Sequence, residues 1–352
     1  MSTVVIIGAG VTGMVTAIEC ALAGHRVTLL DRGPIPNPAS TSADQHRALR
    51  VQRPGDPVLT TQMADARKRW LALESLLDTD FFRPVGIVTA WPVTELDSVT
   101  GEILVPARLP HVLFPAGTVG VLDADAGVLL ADKFLHAAAK WLADHPAVSV
   151  RPESTVRFVA DHWVSLSDGS ALGADVVVVA AGPWGQELVD IPVSLFRQTM
   201  VYLRPPADLA AWWENAPGVG GIGADGRAWL LPPGAGTLLK ISSDVVCRKV
   251  ESTAGGETEA WGDWLPVKPR VDRMPSLPWA ERLLAEPILS ELDRYTVVAV
   301  RECHYASAPD TGGPVLRQVR PGLWARPACG GSGFAAAPLV ANTIVEAMEA
   351  TA

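Results

Sequence analysis

The first thirty-one residues constrain this chain more tightly than any other segment. Val4 to Ile7 is an uninterrupted apolar run, the pattern of a parallel strand buried on both faces. It enters Gly8-Ala9-Gly10-Val11-Thr12-Gly13, and an apolar-periodic helix is expected from about Met14 to Ala23. Gly24 ends that helix, and Arg26 to Leu30 reads as a second strand closing on Asp31. Strand, glycine turn, helix, strand and acid in that order are a dinucleotide-binding fingerprint in its required context. Gly8 permits the tight turn, and Gly10 lets the backbone approach a pyrophosphate. Gly13 lets the helix close on the strand, with its N-terminus facing the anion. Asp31, 18 residues beyond Gly13, is placed to accept hydrogen bonds from ribose hydroxyls. The motif alone does not choose between NAD and FAD.

The rest of the chain sets the frame for that motif. Its 352 residues suggest two domains, and 48% hydrophobic against 19% charged residues supports a sizeable core. No run approaches the roughly 18 to 20 apolar residues of a membrane span. The N-terminus reads as a buried strand rather than a leader peptide. A net charge of -9 argues against nucleic acid, which is held largely by Lys and Arg. Cys20, Cys247, Cys303 and Cys329 form no CxxC pair and no zinc spacing, so no metal is expected and a reducing cytoplasm fits. There is no HExxH, GxSxG, P-loop or paired-carboxylate signature, which leaves hydrolysis and phosphoryl transfer without support.

Three later segments bear on the choice of dinucleotide. Residues 174–182 (ADVVVVAAG) form a strand ending in small residues, as if the sheet returned to the ligand after a long excursion. Residues 299–310 hold Cys303-His304-Tyr305, and 328–340 form a glycine-rich turn running into a C-terminal helix. Together with Gly8 to Gly13, these residues resemble the D-amino-acid oxidase superfamily, within it the branch of monomeric sarcosine oxidase.

That resemblance implies an α/β fold. A Rossmann-like FAD-binding domain of residues 1–82, 127–192 and 299–352 would accompany a mixed-sheet α+β substrate domain of residues 83–126 and 193–298. The many Pro, Gly and Trp residues of 200–280 suit loops and short strands there. Asp132 to Ala143 reads as an amphipathic helix capped by the Asp132 carboxylate.

The resemblance also assigns roles. The cofactor is FAD, held by Gly8, Gly10, Val11, Thr12, Gly13, Asp31, Arg32, Ser42, Arg47, Val156, Ala181, Gly182, Gly331, Gly333 and Phe334. Cys303, in a Cys-x-Tyr motif, corresponds to the cysteine that forms a thioether with the flavin ring. From residue type alone it could equally be a packing cysteine, the role expected of Cys20 and Cys329. Lys240 breaks an apolar strand, Leu238 to Ile241, where a lysine ordinarily faces solvent. The resemblance places it beside flavin N5, where a fixed cation promotes oxygen reduction. It also makes Trp229 an aromatic wall of the substrate cavity and Arg50 the anchor of a substrate carboxylate. In the same loop, Arg47 would lie near the flavin ring. Arg47 and Arg50 read alone are two surface arginines in a loop that also holds Arg53, and His46 is expected to be a solvated loop histidine.

One departure affects the substrate. Where the branch has a lysine that completes carboxylate binding, this chain has Ala335, and Ser332 stands for a common histidine. Of twelve tryptophans, Trp91, Trp212, Trp213, Trp229, Trp261, Trp264 and Trp279 fall in the expected substrate domain, most of them expected to pack rather than line a pocket.

The implied activity is oxidation of a primary or secondary amine or amino acid to an imine, with molecular oxygen reduced to hydrogen peroxide by a monomer or small homo-oligomer. Three other readings stay open: an amine dehydrogenase that passes electrons to a carrier, an NAD(P)-linked reductase, and a flavin-binding protein without catalysis.

Overall fold

A computed structural model describes residues 1–253 and 278–350. The expected first unit forms as strand Thr3–Ile7, helix Val11–Leu22 and strand Arg26–Leu30. These two strands join a six-stranded sheet in the order Pro314–Arg320, Leu323–Cys329, Val176–Val179, Thr3–Ile7, Arg26–Leu30, Val148–Arg151. Every pairing is parallel except that between the first two strands. Successive side chains of the first strand serve opposite faces. Val4 and Ile6 pack against the helices, whereas Val5 and Ile7 pack beneath a small sheet made by Val156–Val159, Trp163–Leu166 and Ala171–Gly173. This double burial explains why the strand is apolar throughout.

The helical face is closed by Val11–Leu22, Pro57–Leu77, Ala131–Asp144 and Ala337–Ala350. At its centre, buried Trp70 meets Phe81 and Phe134 edge-on and stacks on Phe334. Its indole N–H donates to the Ala335 carbonyl at 2.9 Å, tying the glycine-rich turn to the core. The helix expected from Asp132 starts one residue earlier, and Asp132 lies within its first turn rather than capping it. The Gln45 carbonyl accepts from Ala131 N–H at 3.0 Å, so a tertiary contact takes the place of the side-chain cap.

The second sheet has nine strands and is antiparallel except where Gly218–Ile222 runs parallel to Ile87–Pro92. Its core gathers around Trp213, Leu230, Leu239 and Ile241. Trp213 donates to the Tyr295 hydroxyl, Trp212 packs against His111 and Trp279 lies under Arg248. Trp91 donates to the Glu95 carbonyl. These tryptophans therefore pack, while Trp261 and Trp264 lie outside the described residues.

Strand Thr296–Ser307 pairs along its whole length with Ser194–Arg204, from Ser307 opposite Ser194 to Thr296 opposite Arg204. The junction expected at residue 299 falls inside this strand, and Cys303 reaches the site from the second sheet. No described helix is long and apolar enough to cross a membrane.

Candidate active site

A cavity of about 590 Å³ opens between the two sheets, within the size range of small-molecule and cofactor sites. All the residues expected at the site line it except Gly13, which lies behind the turn. A Cβ at position 13 would run into the Gly8 carbonyl, so Gly13 is needed for helix and turn to close. Gly8 adopts φ +100, and a Cβ there would meet the Ala180 carbonyl at 2.7 Å.

On the nucleotide side, the Asp31 carboxylate accepts from Ala9 N–H at 2.8 Å, Gly33 N–H at 3.0 Å and the Asn37 amide at 2.7 Å. These bonds orient it toward the cavity, and a carboxylate retains further lone pairs for incoming hydroxyls. Ser42 accepts from Val11 N–H at 2.9 Å at the start of the N-terminal helix. Arg32 lies 4.5 Å above the Trp184 ring, and both line the cavity.

The centre is organised by Asp44, a fully buried carboxylate. It pairs with Arg47, accepts from Lys240 Nζ at 2.9 Å and from the Tyr202 hydroxyl at 2.8 Å. Lys240 also donates to the His46 carbonyl at 2.6 Å, and its Nζ lies 5.6 Å from the Trp229 ring. Two of the three ammonium N–H groups are thereby taken, leaving one for the cavity. Lys240 is 1% exposed, so the solvent-facing reading of this strand lysine is replaced by a buried one. Burial first, then the like charge of Arg47, hold its amine well below the usual lysine range.

Cys303 lies on the same wall. Burial raises its thiol pKa, and the nearby Arg47, Arg301 and Lys240 charges offset this only in part. The resting side chain is a thiol rather than a pre-formed thiolate.

His46 corrects an expectation. The loop histidine is 0% exposed, and burial followed by the Lys240 charge holds its ring well below the ordinary histidine pKa. It is a neutral strut of the cavity wall. Sequence reasoning also gave no role to Asp44, Arg326 or Trp184. The signal for Arg326 was an arginine inside the otherwise uncharged strand Leu323–Cys329. Among the described residues, no group of three His, Cys, Asp or Glu side chains is arranged to hold a metal.

A profile of the DAO family, FAD-dependent oxidoreductases, matches residues 3–347. The chain belongs to that family. The peroxisomal sarcosine oxidase of Mus musculus is 26% identical over 239 residues, covering 62% of this chain and 59% of the relative. The human peroxisomal sarcosine oxidase is 25% identical over the same share of each chain. The chain therefore spans somewhat under two thirds of these curated relatives. Two solved structures from Aspergillus fumigatus share the fold. Amadoriase I matches with a TM-score of 0.75 at 18% identity over 99% of this chain and 86% of that one. Amadoriase II matches with a TM-score of 0.76 at 20% identity over 100% and 87%.

Family membership makes FAD the cofactor, and the chain's own residues fit it. Arg326 is 4% exposed, donates to Thr12 Oγ1 at 3.3 Å and leaves Nη2 buried without a partner beside the glycine turn. A buried, under-satisfied cation at a helix N-terminus suits a diphosphate. Asp31 suits the ribose, and the Gly330–Phe334 turn, fixed by Trp70, closes the opposite wall.

Proposed function

We propose that this family member oxidises the C–N bond of an amine or amino acid to an imine, with molecular oxygen as electron acceptor. In the balanced reaction the amine gives up two hydrogens, one from the α-carbon and one from nitrogen. One molecule of oxygen takes up both, with their two electrons, and leaves as hydrogen peroxide. FAD, when bound, accepts the hydride equivalent and returns two electrons to oxygen.

The observation that carries this reading is Lys240, a buried lysine on the cavity wall, gripped by Asp44 and the His46 carbonyl and lying beside Trp229. Held this way, Lys240 needs no reorganisation to present an N–H to negative charge developing in a water-poor cavity. Trp229 supplies a flat apolar wall for the substrate, and Arg50 a two-pronged donor for an acidic group. Family neighbours support the chemistry. The curated relatives are sarcosine oxidases, and amadoriase I is described as a fructosyl amine: oxygen oxidoreductase. Four free cysteines suit a reducing compartment such as the cytoplasm.

The test follows the two half-reactions by stopped-flow. Lys240→Met should slow reoxidation by oxygen at least tenfold more than anaerobic reduction by an amine. Equal slowing of both would remove Lys240 from the oxygen step. A peroxide yield near zero during turnover would assign the electrons to another acceptor. Failure of a broad amine panel to bleach the flavin would overturn the amine reading.

A further inference from the structure

Three consecutive residues of one loop hold Lys240 and its strand. Asp44 Oδ2 accepts from Lys240 Nζ at 2.9 Å, and the His46 carbonyl accepts from it at 2.6 Å. Between them, Gln45 Oε1 accepts from Leu238 N–H at 2.6 Å, at the entry to strand Leu239–Ser243. Asp44 is itself fixed. Its Oδ1 accepts from the Tyr202 hydroxyl at 2.8 Å and from Gln45 N–H at 2.6 Å. Tyr202 is the register partner of Lys240 on the adjacent strand, so one sheet supplies both groups that grip the carboxylate from that side. None of the three side chains is more than 1% exposed.

The charges around the lysine decide whether it keeps its proton. Burial acts against the ammonium, and so do Arg47, on strand Arg47–Leu49, and Arg301, on strand Thr296–Ser307. The other titratable groups facing it are neutral. Burial raises the pKa of the Cys303 thiol and of the Tyr202 hydroxyl, and it lowers that of the His46 ring. Among the described residues, Asp44 is the one carboxylate paired with the lysine, and it is shared with Arg47. With the amine protonated, Asp44, Arg47 and Lys240 sum to one positive charge. Without the carboxylate they would sum to two, both buried. A guanidinium keeps its proton, so the lysine would be the group to give one up.

We propose that Asp44 is the positioning residue of the oxygen step: it keeps Lys240 a protonated ammonium facing the cavity, and Tyr202 holds Asp44 in place to do so. The inference rests on the reading of Lys240 given above. Asp44 stands behind the cavity wall and acts through the lysine, whereas Lys240 lines the cavity. A neutral amine in the same place would bring no charge to meet the negative charge developing on oxygen.

The oxygen step can be followed without an amine. The flavin of the holoenzyme is reduced by light with EDTA as donor and mixed with oxygenated buffer in a stopped-flow instrument, from about pH 6 to about pH 10. In the parent, reoxidation should slow as pH rises through the lysine's midpoint, toward the rate of Lys240→Met. In Asp44→Asn that midpoint should move to lower pH by about one unit or more. The variant is then about tenfold slower on the alkaline side of both midpoints and rejoins the parent on the acid side. Asp44→Ser, smaller and still able to accept from Tyr202, is the second uncharged variant and should show the same displacement. Asp44→Glu keeps the charge and should hold the midpoint near that of the parent. In a Lys240→Met background, Asp44→Asn should have no further effect on reoxidation.

The proposal is overturned if the uncharged variants keep the parent's midpoint, or slow reoxidation by one factor at every pH, as a merely structural role would. A further loss in the Lys240→Met background overturns it too. If Lys240→Met is slow while the Asp44→Asn midpoint is unmoved, the oxygen role of Lys240 stands and that of Asp44 falls. A parent that reacts with oxygen no faster than Lys240→Met at any pH removes the oxygen step and the proposal with it. A displaced midpoint in a protein whose flavin no amine reduces sustains the role of Asp44 and rejects the amine reading.

Discussion

Replacing Arg326 by methionine should move the stability of the cofactor-free protein and its affinity for FAD in opposite directions. In the fold, Arg326 is buried, its hydrogen bond to Thr12 is long at 3.3 Å, and Nη2 has no partner among the described residues. Its charge has no carboxylate partner among the described residues, and burial depresses its pKa. The effective penalty for burying an ion is several kcal/mol, whereas a side chain of similar length without charge fills the same space. Cofactor-free Arg326→Met should therefore be more stable than the parent by about 1 to 3 kcal/mol. Thr12 is only partly buried and can turn its hydroxyl to water.

With FAD present the sign reverses. Removing one partner of a buried, hydrogen-bonded charge pair costs about 2 to 5 kcal/mol, so affinity should fall by about thirtyfold to several thousandfold. At a fixed, saturating FAD concentration, a hundredfold weaker Kd removes about 2.7 kcal/mol of ligand stabilisation. The measurement is best made in a Cys303→Ala background, so that the cofactor exchanges freely. FAD is stripped, then titrated back by fluorescence, and urea unfolding is recorded with and without it. A cofactor-free variant that is less stable than the parent, with unchanged FAD affinity, would show that Arg326 is compensated within the fold. The cavity would then not be built around a diphosphate at that point.

Two further outcomes are expected. Acid denaturation of the parent should leave the yellow colour in the pellet, with an FAD-sized mass on the peptide containing Cys303, whereas Cys303→Ser should release it to the supernatant. Release from the parent would make Cys303 a packing residue. Stability should also fall on mild acidification. His46, His25 and His304 all have depressed pKa values, with burial the leading cause. The unfolded chain takes up protons near pH 6.5 while the folded one does not, so their stabilisation is present above about pH 6.5 and lost below it. Each group contributes a slope of up to about 1.4 kcal/mol per pH unit, and His46→Gln should remove one such share. Stability that stays flat from pH 7 to 5.5 would refute this.

What the sequence made legible was local. The strand, turn and helix of residues 3–22 are specified within one short window by apolar runs and glycine spacing, and the structure realises them. The sheet that Cys303 would join was not legible. The run around it reads as a strand in either unit, and its pairing is decided by residues 194–204, about a hundred positions away. The same holds for the loop of Asp44, His46 and Arg47, whose polar composition suggests solvent. It is buried because Tyr202 and Lys240, 158 and 196 residues from Asp44, satisfy its carboxylate from the second sheet. No local pattern reports that compensation.

The same non-local compensation gives the cavity a charge opposite to that of the protein. The chain carries -9 overall, yet the cavity lining holds Arg32, Arg47, Arg50, Arg53, Lys240 and Arg326 against Asp31, Glu187 and Asp244. Behind that wall, Asp44 is one carboxylate serving two of the cations, Arg47 and Lys240. Inside low-dielectric walls such a surplus focuses a positive potential on the ligand, whatever the outer surface carries. The diphosphate of FAD, bound on the glycine-turn side beside Arg326, would lower it.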